Sequence, residues 1–353
     1  MGNGGGGGSG TAARRSLSPE FVASKLMKAA NKIYAADPRV RSVGVGLSQG
    51  GAYGFIAVRN IEAKLPDGVE VRTIEQHDGI AVGFIDSTRD PESLAAVIQA
   101  SSGQVSKMPE QGRHRPLVCG LQIQNFDNDL RTGLIGKEQM VLGTLGCFVR
   151  LRNGDVGFLS NNHVVAGENR GVRGKDRILQ SGSLSISAAE QGGILSDFVR
   201  LRFSSAMAHP TLGTARFNVV DAGCVKVTGE RGCRQKYLAG RKLPSPHGAD
   251  KPRVGEKVFK VGRTTGLTRG IVRLTPAVVG PVGYTSGPCW FRRSMLIESE
   301  GGKFFSEKGD SGSAIVRDDG TGTVIGLLFA GDGTQTWACP IEQVLRMLKC
   351  KIL

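Results

Sequence analysis

The chain has no run of 18 apolar residues, which excludes an ordinary transmembrane helix. Its start, Met1-Gly2-Asn3-Gly4-Gly5-Gly6, has no apolar core of the kind a secretion signal needs. Gly6 also stands where a myristoylation site wants Ser or Thr. The seven cysteines include no CxxC pair and are odd in number, so neither a zinc cage nor a disulfide framework is expected. Reduced thiols in a cytoplasm fit that usage better. Gly133–Lys137 and Gly171–Lys175 have neither the spacing nor the Ser/Thr of a phosphate loop. Gly44-Val45-Gly46 has no third glycine at the dinucleotide spacing. No metal or organic cofactor is therefore expected.

What the chain has in excess is glycine, 52 of 353 residues, about twice the usual share. Helices tolerate glycine poorly, so strands joined by tight turns are favoured. Hydrophobic residues make up 39% and charged residues 22%, enough for a globular core and too apolar for a wholly disordered chain. The length allows about two domains. Lys and Arg outnumber Asp and Glu by 46 to 31, a net charge of +15. The excess concentrates between Lys226 and Arg273, where only Tyr237 and Phe259 could stack on bases. A solvated face is the favoured reading there, and a nucleic-acid or acidic-protein surface is the alternative.

Residues 1–15 read as a disordered Gly-rich tail. Ser18-Pro19-Glu20 then caps a helix that runs to about Ala36, with Val22, Leu26, Ala29, Ala30 and Ile33 on one face. Asp37-Pro38 ends it. Short β-type runs follow at Val43–Leu47, Phe55–Val58, Val69–Thr73 and Ile80–Phe84. A second helix is predicted from the Asp90-Pro91-Glu92 cap through Ile98. Residues 16–100 thus read as an α+β accessory domain, and the polar stretch 101–115 as a linker. After Pro116, short apolar runs with glycine turns recur to the end, the texture of a sandwich or barrel. Only Pro340–Leu348 has clear helical periodicity in that half.

The chemistry concentrates in Lys308-Gly309-Asp310-Ser311-Gly312-Ser313-Ala314. A serine between glycines can expose its hydroxyl and bring backbone N–H groups to a substrate oxygen. An α/β-hydrolase elbow would need glycine where Ser313 stands. A nucleophilic serine needs a base, and His163 differs from His77, His114, His209 and His247 in closing a strand, Gly157–Ser160, through Asn161-Asn162. The third member is a carboxylate that orients the imidazole. Asp221 is favoured for it, at the end of a short β-run, with Asp197 the competitor.

These segments, in the order His163, Asp221, Ser311, resemble the trypsin-like (chymotrypsin-fold) serine peptidases. The resemblance extends to bacterial trypsin-like peptidases with an N-terminal α+β domain and to related plant proteins. It is carried by Gly143-Thr144-Leu145-Gly146-Cys147, Leu159-Ser160-Asn161-Asn162-His163, Val261-Gly262-Arg263-Thr264-Thr265-Gly266-Leu267-Thr268 and Gly326–Gly331. It implies a mostly β fold, a double six-stranded barrel of chymotrypsin type over 116–353 behind the α+β domain. It implies Ser311 as nucleophile, His163 as general base and Asp221 as orienting carboxylate, with the N–H groups of Gly309 and Ser311 as oxyanion hole. Phe329-Ala330-Gly331 corresponds to the strand that pairs with extended substrate, and Phe305 to the pocket floor. An aromatic floor predicts an uncharged apolar residue before the cut in a protein or peptide substrate, although Asp332 lies close by. In secreted members a new N-terminus pairs with the aspartate before the serine. Here a whole domain precedes the barrels, so Asp310 needs another partner, or the hole waits for a substrate or activating partner protein to order loop 301–310.

Overall fold

The structure is a computed structural model. It describes residues 17–48, 51–65, 70–72, 74–99, 108–186, 190–204, 216–228 and 232–353. The expected tail, the first half of the expected linker (101–107) and His209 lie outside the described residues.

The fold is mostly β, as the glycine content and short apolar runs lead one to expect. Its centre is a closed barrel. Strand Gly266–Val282 pairs with Lys257–Gly262, which pairs with Ala314–Arg317, which pairs with Thr323–Gly331. That strand pairs with Gln335–Pro340, then Cys289–Ser299, which returns to Gly266–Val282. Six strands thus close on one another and leave no edge within the ring. The long strand carries Pro276 and Pro281, which cannot donate to a ladder. Its register with Cys289–Ser299 shifts between Leu274 and Ala277 and again between Val279 and Val282, at those two prolines.

A second ring forms from the residues that precede it in sequence. Gln122–Asn125 pairs with Gln139–Thr144 on one side and Arg177–Leu179 on the other. Gln191–Phe198, Gly223–Val227 and Val156–Ser160 continue the order. The chain closes the ring as it runs on from Thr144, since Gly146 N–H donates to Leu159 O and Leu159 N–H to Cys147 O, both at 2.9 Å. The double six-stranded barrel expected of a chymotrypsin-type fold is thus present in the strand pairings themselves. One continuous core fills the two rings, including Phe148, Phe158, Phe259, Phe291 and Phe329.

The first helix spans Pro19–Ala36, with the Ser18 hydroxyl accepting from Phe21 N–H at 3.2 Å and the expected apolar face buried. It covers the strands Val40–Leu47 and Tyr53–Asn60, joined by Ile80–Ser87 in parallel. Val40–Leu47 also pairs with Gly266–Val282 at Ser42–Gly44, so this layer extends the central barrel's sheet. The run Val69–Thr73 is irregular at 70–72, and its end residues lie outside the described residues.

One expectation fails outright. The predicted second helix at 90–98 is two strands, Glu92–Ser93 and Ala96–Gln99. Glu92–Ser93 pairs with Ala330–Gly331, and Ala96–Gln99 pairs with Gln139–Leu142. The strand end at Ala330–Gly331 and the backbone of Gln139–Leu142 satisfy this segment better than a two-turn helix could, because so short a helix is marginal without packing. Two short helices, Phe126–Arg131 and Asn162–Val165, lack a periodic signal of their own. No helix among the described residues is long and apolar enough to cross a membrane. All seven cysteines are free thiols, buried except for half-buried Cys233.

Candidate active site

The end of Val156–Ser160 runs into the single helical turn that carries His163. The motif around it now has local reasons. Ser160 hydroxyl donates to Thr144 O, Asn161 side-chain N–H to Asp221 O, and Asn162 side-chain N–H to Val199 O, at 2.8, 2.7 and 2.7 Å. These bonds lock the turn to both neighbours, so the imidazole leaves the second ring in one direction. His163 Nδ1 lies 2.5 Å from Asp221 Oδ2, and its Nε2 lies 2.8 Å from Ser311 Oγ. All three side chains are buried, with Ser311 and Asp221 at 0% and His163 at 3% exposure. The competitor Asp197 instead pairs with Arg173 at 2.5 Å on the surface and takes no part.

Asp221 is the most heavily bonded member. Its Oδ1 accepts from the His163 backbone N–H at 3.3 Å, and its Oδ2 accepts from the Tyr284 hydroxyl at 2.8 Å. Tyr284 also packs edge-on against the imidazole, 5.6 Å between ring centroids. Burial first, and then the Asp221 charge, push the Tyr284 hydroxyl well above its ordinary pKa, so it remains a donor. Sequence reasoning missed Tyr284. It follows Gly283 in a loop-like stretch and carries no spacing signal.

The serine loop is held from two sides. Thr144 N–H donates to Ser311 O and Thr144 hydroxyl to Gly309 O, at 2.8 and 2.9 Å. Gly309 has φ +106°, and a Cβ there would strike the Thr264 hydroxyl and the Arg263 guanidinium, so only glycine fits. Asp310 is fully buried, and its partner is Lys260, also at 0% exposure, with Nζ 3.3 Å from Oδ2. Thr264 N–H, Thr265 N–H, Thr265 hydroxyl and Glu307 N–H also donate to Asp310. The Arg263-Thr264-Thr265 segment is thus a clamp for the Asp310 carboxylate. Lys260 supplies the buried counter-charge to Asp310 from within the chain. Its signal was present, a lysine inside the apolar run Val258-Phe259-Lys260-Val261. The expectation that loop 301–310 waits on an outside partner is not needed to satisfy Asp310.

Between the barrels, the cleft is filled by the chain itself. Leu94 N–H donates to Phe329 O at 3.2 Å, and Gly309 N–H donates to Leu94 O at 2.5 Å. Ser93 pairs with Ala330 and Glu92 with Gly331. The Leu94 side chain, 5% exposed, shares a cluster with Val272, Ile297, Phe305, Ile315 and Leu328. Phe305 is buried in that cluster, and Asp332 is turned away, its Oδ1 accepting from Thr334 and Gln335 N–H and its Oδ2 from the Ser87 hydroxyl. No cluster of three metal-ligating side chains occurs among the described residues.

A family model described as the Nal1 C-terminal domain matches residues 248–338, about a quarter of the chain. No curated protein matches. Several solved structures are similar in part. Thermobifida fusca Protease A is 18% identical, covering 60% of this chain and 91% of its own, with a TM-score of 0.40. Nocardiopsis Protease is 16% identical, covering 67% and 98%, with a TM-score of 0.44. A glutamic acid-specific serine protease is 18% identical, covering 67% and 100%, with a TM-score of 0.43. The chemistry of the site rests on its own geometry.

Proposed function

We propose that the protein is a serine endopeptidase acting through Ser311, His163 and Asp221. The observation that carries this reading is the unbroken chain of contacts from Tyr284 through Asp221 and His163 to the Ser311 hydroxyl, beside an N–H that holds a carbonyl oxygen. In this reading His163 Nε2 takes the Ser311 proton as Oγ attacks a peptide carbonyl, and later gives it to the leaving amine. Asp221 keeps the Nδ1 proton in place and stabilises the imidazolium. The Gly309 and Ser311 N–H groups hold the oxyanion, each such donor contributing about 2.7–4 kcal/mol to the transition state. Phe329-Ala330-Gly331 pairs with extended substrate by strand addition. Phe305 and its apolar neighbours take an uncharged side chain before the cut, because a charge there would be desolvated without a partner. Residues 16–100 act as an accessory unit, 101–115 link, and 116–353 form the peptidase. The chemistry needs no metal or organic cofactor.

The test is a fluorophosphonate probe applied to the purified chain, with Ser311→Ala and His163→Ala beside it. Covalent label on Ser311 that both substitutions abolish is the expected result. Because the Leu94 carbonyl occupies the Gly309 N–H beside the serine, Leu94→Asp is labelled in parallel to open the cleft. No label on any of these chains would leave a binding or scaffold protein on a protease fold. Nucleic-acid binding is less favoured. In the basic stretch, Lys226, Arg241, Arg253, Lys257, Arg269 and Arg273 all have acidic partners, which makes that surface less available to phosphates.

A further inference from the structure

The cleft holds more than an obstruction. Glu92–Ser93 adds a strand to the central barrel at Ala330–Gly331, and Ala96–Gln99 adds one to the other barrel at Gln139–Leu142. The segment therefore crosses from one barrel to the other, and the bond between Leu94 and Ala95 lies between its two strands, with the Leu94 carbonyl at the Gly309 N–H of the serine loop. The Leu94 carbonyl oxygen accepts from Gly309 N–H, the Leu94 N–H is held by Phe329 O, and its side chain shares one apolar cluster with Phe305. Further anchors fix the approach. Ser93 N–H donates to Gly283 O, Gly283 N–H donates to Pro91 O, and Lys308 Nζ lies 2.9 Å from Glu92.

We infer that this segment is the enzyme's own first substrate, bound in register, and that the bond cut is Leu94–Ala95. The inference rests on the peptidase reading and adds to it a target and a leucine preference. Ser311 Oγ adds to the Leu94 carbonyl carbon while its proton passes to His163 Nε2. The resulting oxyanion collapses, the Leu94 C–Ala95 N bond breaks, and His163 returns the proton to the departing nitrogen. A water molecule, deprotonated by His163, then hydrolyses the Leu94–Ser311 ester. A carboxylate remains at Leu94, an amine at Ala95, and the serine hydroxyl is restored. The two pieces stay associated, because Glu92–Ser93 and Ala96–Gln99 are each paired with a different barrel. The reaction is intramolecular, since the bond already lies within its own cleft and needs no encounter.

The experiment is intact-mass measurement and N-terminal sequencing of the purified full chain over time, with Ser311→Ala and Leu94→Asp in parallel. Wild type is expected to give one piece ending at Leu94 and one beginning at Ala95. Ser311→Ala stays whole, alone or mixed with wild type, and Leu94→Asp loses the cut. A wild type that stays whole while Ser311 in either wild type or Leu94→Asp takes the fluorophosphonate overturns self-cleavage and leaves the peptidase reading standing. A cut that survives in Leu94→Asp, or that appears in Ser311→Ala mixed with wild type, overturns it as well. No label and no cut in any chain removes both readings together.

Discussion

Lys260 and Asp310 face each other at 3.3 Å, and neither exposes any side-chain surface. The pair sits directly beneath the loop that presents Gly309 and Ser311, with Lys260 also donating to Gly266 O at 3.0 Å and lying 5.9 Å from the Phe305 ring centre. One buried cation thereby connects the serine loop, the Thr264-Thr265 clamp and Phe305.

Removing that cation should be costly. Lys260→Met leaves a buried carboxylate with hydrogen bonds and no counter-charge, a change worth about 3–5 kcal/mol of stability. The denaturant midpoint is expected to fall with the slope unchanged, and Ser311 labelling to be lost as Gly309 and Ser311 shift. A Lys260→Met chain that keeps both its midpoint and its labelling rate would show that the pair does not organise the loop.

The same pair sets an alkaline limit. Burial lowers the Lys260 pKa below the ordinary lysine value, and the Asp310 charge opposes that only in part. Lys260 therefore gives up its proton at a lower pH than a surface lysine. Below that point the pair is intact; above it Asp310 stands without its cation. The labelling rate of Ser311 is expected to fall on the alkaline side before an ordinary lysine would titrate. A rate that stays flat through that range contradicts the assignment.

Tyr284 reaches the triad through Asp221. Tyr284→Phe removes a hydrogen bond to a charged group, worth about 1.5–3 kcal/mol. That corresponds to a loss of about ten- to a hundredfold in turnover. The loss is expected in kcat on a peptide substrate, with KM little changed, because Tyr284 contacts the carboxylate and the imidazole rather than the substrate strand. An equal loss in KM would place its role in binding.

Asp129 offers a stability test away from the cleft. Its carboxyl is buried, with Oδ2 accepting from Gln124 and Val141 N–H and Oδ1 without a partner among the described residues. Burial raises its pKa from 3.8 to about 6, with these hydrogen bonds opposing. The folded state thus binds more protons than the unfolded state between those two values, and stability falls as pH rises through that window. Asp129→Asn removes the charge. It is expected to raise stability by about 1–3 kcal/mol at neutral pH, with the gain shrinking toward pH 4. Thermal melts across pH check this, and a gain that is independent of pH counts against the burial cause.

The strand texture, the first helix and the meeting of His163, Asp221 and Ser311 were legible because each rests on local marks. Ser18-Pro19 and a spaced apolar face mark the helix, while Gly309-Asp310-Ser311-Gly312 and the strand-ending His163 mark the site. The motif Arg263-Thr264-Thr265 was visible without a reason until Asp310 was found in its grip. The segment 90–98 misled because Asp-Pro-Glu followed by Leu, Ala, Val and Ile reads equally as a capped helix or as apolar strands. Nothing in nine residues shows that pairing backbone waits on either side, at Ala330–Gly331 and Gln139–Leu142.

Sequence by itself determined which residue types could do acyl transfer, that glycine-rich turns would favour strands, and that a capped helix would open the chain. Those properties depend on neighbours a few positions apart. Only the tertiary structure decided that Lys260 answers Asp310, that Tyr284 steadies Asp221, and that Leu94 lies against Gly309. Each of these pairs joins positions tens to hundreds of residues apart, brought together by closure of two barrels, and burial gives each contact a strength that no local spacing encodes.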